Sequence, residues 1–139
     1  MSGATSIPTP AALGLVPLSV SGGPQTGLDS WSVRMADMCL NRFPILSSVW
    51  DYGWGVVLKG VEQVWLNTGG PKYQEYIERN VGQFVEPDGN IRTYCLQDYN
   101  LDQINTGKLF FGLYQTTGDE RYRQALHLLM RPVYYPHLF

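Results

Sequence analysis

The sequence predicts an all-α protein built from stacked helical hairpins, because one pattern repeats along the chain and helical apolar spacing surrounds each copy. Thr-Gly-x-x-x-Tyr occurs at 68–73 and again at 117–122, an offset of 49 residues (117 − 68). Apolar residues recur every three or four positions on both sides of each copy. A period of this length fits one helical hairpin with its connections, so we expect an array of such hairpins.

Five helices are expected, each with its own apolar pattern and boundary signals. Asp29 or Ser30 can cap the first helix, whose stripe is Trp31, Met35, Met38 and Cys39. Glycine and proline residues end the second helix and begin the third, and Asn100 can cap the fourth. The expected helices span residues 31 to about 44, 54–68, 71–84, 101–117 and 122–129.

The composition is that of a folded protein without the charge balance of a nucleic-acid-binding protein. Hydrophobic residues make up 44%, charged residues 16%, and the net charge is −2. These values argue against disorder and against binding to phosphate backbones. No apolar run approaches the roughly 18 residues of a membrane helix. We therefore expect neither nucleic acid nor membrane as a partner.

Few residues are available for metal or triad chemistry. Cys39 and Cys95 are isolated in sequence, and His127 and His137 are the only histidines. A zinc site or a Ser-His-Asp relay needs more candidates than these. We expect ordinary buried thiols, no metal and no cofactor.

Residues 1–27 differ in composition from the rest of the chain. They hold four of the nine prolines, and the apolar run Ala11–Val20 is short and has no basic residues before it. A secretory signal is therefore weakly supported. We expect a flexible N-terminal arm on a cytoplasmic protein.

Polar residues gather at the start of the fourth helix. Asp102 lies in its first turn, and Asn105 and Thr106 follow on the same face. An acidic residue there can simply gain about 0.3–1 kcal/mol from the helix dipole. The dipole favours the ionised form of this carboxylate, whereas a general acid must hold a proton at neutral pH. Asp102 is therefore better suited to binding or charge stabilisation than to proton donation. A second carboxylate nearby, or desolvation, would reverse this preference.

Gly107 lies inside the same predicted helix, where glycine costs about 1 kcal/mol relative to alanine. A close helix approach or a backbone next to ligand would compensate for this cost.

The entrance of the second helix is rich in aromatic residues. Residues 50–55 read Trp-Asp-Tyr-Gly-Trp-Gly. Aromatic faces stack on sugar rings, and Trp and Tyr also donate hydrogen bonds. Core packing is the common role of single aromatic residues, so this segment alone leaves both interpretations open.

Several of these motifs, in this order, resemble one enzyme family. The likeness rests on residues 50–55, the two Thr-Gly hairpins, 87–91 (Pro-Asp-Gly-Asn-Ile) and above all 99–107 (Tyr-Asn-Leu-Asp-Gln-Ile-Asn-Thr-Gly). From about Trp31 to Met130 the chain is similar to the amino-terminal part of the unsaturated rhamnogalacturonyl hydrolases, glycoside hydrolase family 105, which are related to the family 88 unsaturated glucuronyl hydrolases.

The resemblance implies an (α/α)6 toroid, of which this chain would supply about five of twelve helices. It also implies hydration of the C4=C5 double bond of an unsaturated uronic acid joined to rhamnose, a pectin fragment, without cofactor. Asp102 matches the first of two site aspartates and is our catalytic candidate. Tyr52 matches a sugar-contacting aromatic position, and Trp50, Trp54 and Asn105 complete the predicted substrate-binding set.

The likeness is incomplete, because the second aspartate of the family has no counterpart in this sequence. We interpret residues 28–130 as a partial glycosidase domain and 131–139 as a divergent tail. A partial ring leaves helix flanks uncovered. We therefore expect a truncated form that is inactive alone or needs a partner, and self-association through the flanks stays open. The alternative is a non-catalytic helical-repeat module that binds sugar or protein.

Overall fold

The computed structural model describes residues 30–98 and 100–134, and these form a stack of antiparallel helices. The helices are α1 (Trp31–Arg42), α2 (Tyr52–Thr68), α3 (Pro71–Gly82), α4 (Leu101–Thr106), α5 (Leu109–Thr117) and α6 (Glu120–Tyr134), with a 3-10 turn at Leu96–Asp98. Extended pairing in this part of the chain is limited to one bridge between Val85 and Ile91. The all-α prediction is confirmed, with the fourth expected helix present as two segments.

Two predicted segments lie wholly or partly outside the described residues. The N-terminal arm, 1–27, falls outside them. α6 continues to Tyr134, into the segment interpreted as a divergent tail, and residues 135–139 lie beyond it. None of the helices within the described ranges combines the length and hydrophobicity needed to cross a bilayer.

The 49-residue repeat extends to individual hydrogen bonds. At the end of α2, Gly69 adopts φ 69° and donates its N–H to Trp65 O over 2.7 Å. At the end of α5, Gly118 adopts φ 67° and donates to Tyr114 O over 2.8 Å. The threonine before each glycine donates its hydroxyl four residues back within its own helix. α2 with α3 and α4–α5 with α6 are therefore two copies of one hairpin.

The fourth expected helix is interrupted at Gly107 and Lys108, where the hydrogen bonds tighten. Gly107 N–H donates to Ile104 O over 3.0 Å, and Lys108 N–H donates to Asn105 O over 3.2 Å, both i to i−3 bonds. A Cβ on Gly107 would lie 2.1 Å from Leu129 Cδ1 of α6. The close helix approach expected at Gly107 is confirmed.

The stripe predicted for the first helix is wrong, and so is the expected burial of the two thiols, since Cys39 is half-buried and Cys95 is exposed. Trp31 and Met35 are 70% and 57% exposed, whereas Val33 and Ala36 are buried. A polar contact between α1 and α3 accompanies this orientation: Asp37 Oδ1 lies 2.6 Å from Lys72 Nζ and accepts a 2.9 Å hydrogen bond from the Tyr73 hydroxyl. The Lys72 hydrogen bond lowers the pKa of Asp37. Spacing alone cannot show which of two adjacent faces is buried when both carry apolar residues.

Alanine substitution is expected to have opposite effects on stability at Gly118 and at Gly60. Neither has a neighbour within 4 Å of an added Cβ, so only backbone conformation decides the effect. Gly118→Ala places a side chain at positive φ and is expected to destabilise by about 1–2 kcal/mol. Gly60→Ala removes a glycine from the interior of α2 and is expected to stabilise by about 0.5–1 kcal/mol. Urea unfolding measures both, and equal effects of one sign would contradict the assignment of Gly118 as a left-handed cap.

Candidate active site

The start of α2 presents one exposed aromatic side chain. Asp51 caps the helix, and its Oδ1 accepts a 2.6 Å hydrogen bond from Gly53 N–H. Tyr52, the first helical residue, is 48% exposed. The cap fixes the backbone from which this exposed ring projects.

The start of α4 presents a carboxylate in an equivalent place. Asn100 caps the helix and accepts a 3.0 Å hydrogen bond from Asp102 N–H. Asp102 is exposed and Asn105 is half-buried. Through the 49-residue offset, Asp102 occupies the position that Gly53 holds in the first hairpin. The two hairpins thus share a capped entrance, but the acidic residue is the cap itself, Asp51, in the first hairpin and the second helical residue, Asp102, in the second.

Two hydrogen bonds join these helix entrances. Trp50 Nε1 donates to Gln103 O over 2.9 Å, and Thr106 Oγ1 donates to Asp51 O over 2.9 Å. Because Gln103 follows Asp102 and Asp51 precedes Tyr52, the exposed ring and the exposed carboxylate lie at the same end of the stack.

Trp50 and Trp54 lie beneath this surface. They are 0% and 6% exposed, and their rings meet edge to face with centroids 5.5 Å apart. Trp54 Nε1 donates to Val49 O over 2.7 Å, so both indole N–H groups bind main-chain carbonyls. In this arrangement the indoles pack and position the entrance. Of the predicted sugar contacts, Tyr52 and Asn105 are the two with accessible surface.

Comparison with known proteins identifies the family of this chain. The sequence model for Glycosyl Hydrolase Family 88 matches residues 31–135. The chain belongs to this family. A solved structure of a glycoside hydrolase from family 105, from C. acetobutylicum ATCC 824, is 35% identical with a TM-score of 0.70. The match covers 74% of the family 88 chain and 29% of the C. acetobutylicum protein. The chain therefore spans less than a third of the length of that protein.

These findings confirm the predicted glycosidase family and, with the helical architecture, the incomplete toroid. Among the described residues of the family 88 chain, no group of three or more His, Cys, Asp or Glu side chains is placed to hold a metal ion. The chemistry available at the entrance is that of an exposed carboxylate, an amide and a phenol. These groups can accept and donate hydrogen bonds to sugar hydroxyls and stabilise positive charge.

The burial of one carboxylate was not predicted from the sequence. Glu62 of α2 is 7% exposed and forms an ion pair with Lys59. Burial raises the pKa of Glu62, and the Lys59 hydrogen bond offsets part of the rise. A Cβ added at Gly112 of α5 would lie 3.2 Å from Glu62 Oε1. Glycine at this position therefore leaves space for the carboxylate. Glu62 lies ten residues beyond Tyr52, about 15 Å along the helix, and belongs to the packing between α2 and α5.

The sequence holds one signal for this pair. Glu62 lies three residues after Lys59 on α2, a spacing at which two side chains of a helix can pair.

Proposed function

We propose that this family 88 chain supplies the Asp102 part of a site that acts on unsaturated uronic acid–rhamnose saccharides from rhamnogalacturonan. The observation that carries the proposal is the exposed Asp102 carboxylate at a helix entrance joined to the entrance that bears Tyr52. The family and the 35% identity to a family 105 structure support the same enzyme class.

The proposed reaction is hydration of a vinyl ether. A proton adds to C4 of the C4=C5 double bond, and the hydroxyl of a water molecule adds to C5. The hemiketal formed at C5 opens by breaking its bond to the ring oxygen, which gives a ketone at C5 and a hemiacetal at C1. Collapse of this hemiacetal to an aldehyde breaks the glycosidic bond, and the next sugar leaves with the hemiacetal proton. Positive charge develops at C5 during protonation, so a nearby carboxylate stabilises the transition state.

Each exposed group of the entrance has a proposed role. Asp102 accepts hydrogen bonds from sugar hydroxyls and stabilises the developing charge. The Tyr52 ring stacks on the flattened sugar ring, and the Asn105 amide donates or accepts a further hydrogen bond. Trp50 and Trp54 hold the entrance from below.

Turnover needs a second acidic group that delivers the proton. By the resemblance, the second family aspartate has no counterpart among the motifs of these 139 residues. We therefore propose that these residues alone bind the unsaturated disaccharide without hydrolysing it, and that a further segment or partner supplies the acid.

Titration with the unsaturated rhamnogalacturonan disaccharide tests both parts of the proposal. We expect a saturable change in tryptophan fluorescence, because Trp50 and Trp54 lie directly under the entrance. The ultraviolet absorbance of the double bond should stay constant over the same period. Free rhamnose, which lacks the uronic acid, is the control and should give no saturable change. No response to the disaccharide would overturn the binding proposal, and decay of the absorbance would overturn the need for a second acid.

A further inference from the structure

The buried hydroxyl of Thr106 donates to a different helix from its own. Helical threonines commonly return their hydroxyl to the carbonyl three or four residues back. Thr68, Thr116 and Thr117 all do so here. Thr106 is 0% exposed and instead donates to Asp51 O, the main-chain carbonyl of the α2 cap, over 2.9 Å.

Glycine at position 55 of α2 leaves space for this hydroxyl. A Cβ on Gly55 would lie 2.0 Å from Thr106 Oγ1 and 2.9 Å from its Cγ2. An interior helix glycine is unfavourable relative to alanine. The close contact between α2 and α4 therefore depends on glycine on one side and a small hydroxyl residue on the other.

A residue with a strained backbone lies at the same junction. Thr93 adopts φ 65°, a left-handed conformation that is rare for a β-branched residue. Its Oγ1 accepts a 2.7 Å hydrogen bond from Trp50 N–H, directly before the α2 cap. Strain of this kind persists where surrounding contacts over-determine it, and it concentrates at functional sites.

We propose that Thr106 is a positioning residue for the sugar site, an inference that rests on the proposed function. Thr106 lies one helical turn beyond Asp102, and its acceptor Asp51 is bonded directly to Tyr52. The hydrogen bond therefore fixes the carboxylate of α4 relative to the aromatic ring of α2. Small displacements of such groups weaken recognition strongly.

Variants at Thr106 and a control threonine test this role. Thr106→Val keeps the shape and removes the donor, and Thr106→Ser keeps the donor. Thr116→Val makes the same change at a hydroxyl that bonds within α5. We expect Thr106→Val to weaken disaccharide binding about tenfold, while Thr106→Ser and Thr116→Val stay within about twofold of the unchanged chain.

A double-mutant cycle with Asp102→Asn separates positioning from general structural damage. If Thr106 acts by placing Asp102, Thr106→Val should weaken binding less than about twofold once the carboxylate is gone. Urea unfolding confirms that each variant is folded. If Thr106→Val does not fold, Thr106→Ala, which also lacks the donor but adds no bulk, takes its place in the cycle.

The outcomes distinguish this inference from the proposed function. Tight binding by Thr106→Val, or the same tenfold loss in the Asp102→Asn background, would overturn the positioning role and leave the proposed function standing. Absence of disaccharide binding by the unchanged chain would overturn both.

Discussion

Replacement of Trp50 by alanine is expected to lower the free energy of unfolding by about 3–5 kcal/mol. Trp50 is 0% exposed. Its ring stacks on Phe110 with centroids 5.4 Å apart and meets Phe84 edge to face at 5.8 Å. The substitution would leave a cavity where α2, α5 and the segment after α3 meet. Urea unfolding measures the loss.

Two further variants identify the cause of this loss. Trp50→Phe keeps most of the ring packing but removes the donor to Gln103 O, so we expect a smaller loss of about 1–3 kcal/mol. Trp31→Ala is the matched control, because Trp31 is 70% exposed on α1, and its effect should stay within about 0.5 kcal/mol. Equal effects of Trp50→Ala and Trp31→Ala would contradict the placement of Trp50 at the centre of the core.

Replacement of Asp102 by asparagine is expected to weaken binding of the unsaturated disaccharide about tenfold or more. Hydrogen bonds to charged groups contribute roughly 1.5–3 kcal/mol, and asparagine offers one neutral acceptor in their place. Stability should change little, since Asp102 is exposed and its favourable interaction with the helix dipole amounts to about 0.3–1 kcal/mol. Fluorescence titration gives the affinity, and urea unfolding gives the stability.

Glu75→Gln is the control for this substitution. Glu75 is an exposed carboxylate on α3, away from the two joined helix entrances, and its loss should leave disaccharide binding unchanged. If Asp102→Asn bound the sugar as tightly as the unchanged chain, Asp102 would keep only its structural role in the first turn of α4.

The repeat made much of the fold predictable from the sequence. Because Thr68-Gly69 and Thr117-Gly118 are local cap signals, they mark the ends of α2 and α5 without reference to the rest of the chain. Asn100 and Asp102 marked the start of α4 in the same way, since capping depends on neighbours in sequence. The motif resemblance then identified the family, which the comparisons confirm.

What could not be predicted depends on contacts between distant segments. The break after Thr106 accompanies the approach of Leu129 to Gly107, and the spacing within α4 and α5 does not contain that information. The burial of Trp50 depends on a carbonyl 53 positions away, that of Gln103. The bond from Thr106 to Asp51 likewise spans 55 positions. The sequence therefore indicated the residues of the proposed site but not which of them are exposed and which are buried beneath it.

A map of amide chemical-shift changes by NMR, recorded as the unsaturated disaccharide is added, shows directly where the sugar binds. We expect the largest saturable shifts at residues 51–53 and 100–105, where the entrances of α2 and α4 meet. Shifts concentrated instead at the opposite helix ends, around Gly69 and Gly118, or no saturable shifts at all, would contradict a sugar site at Asp102 and Tyr52.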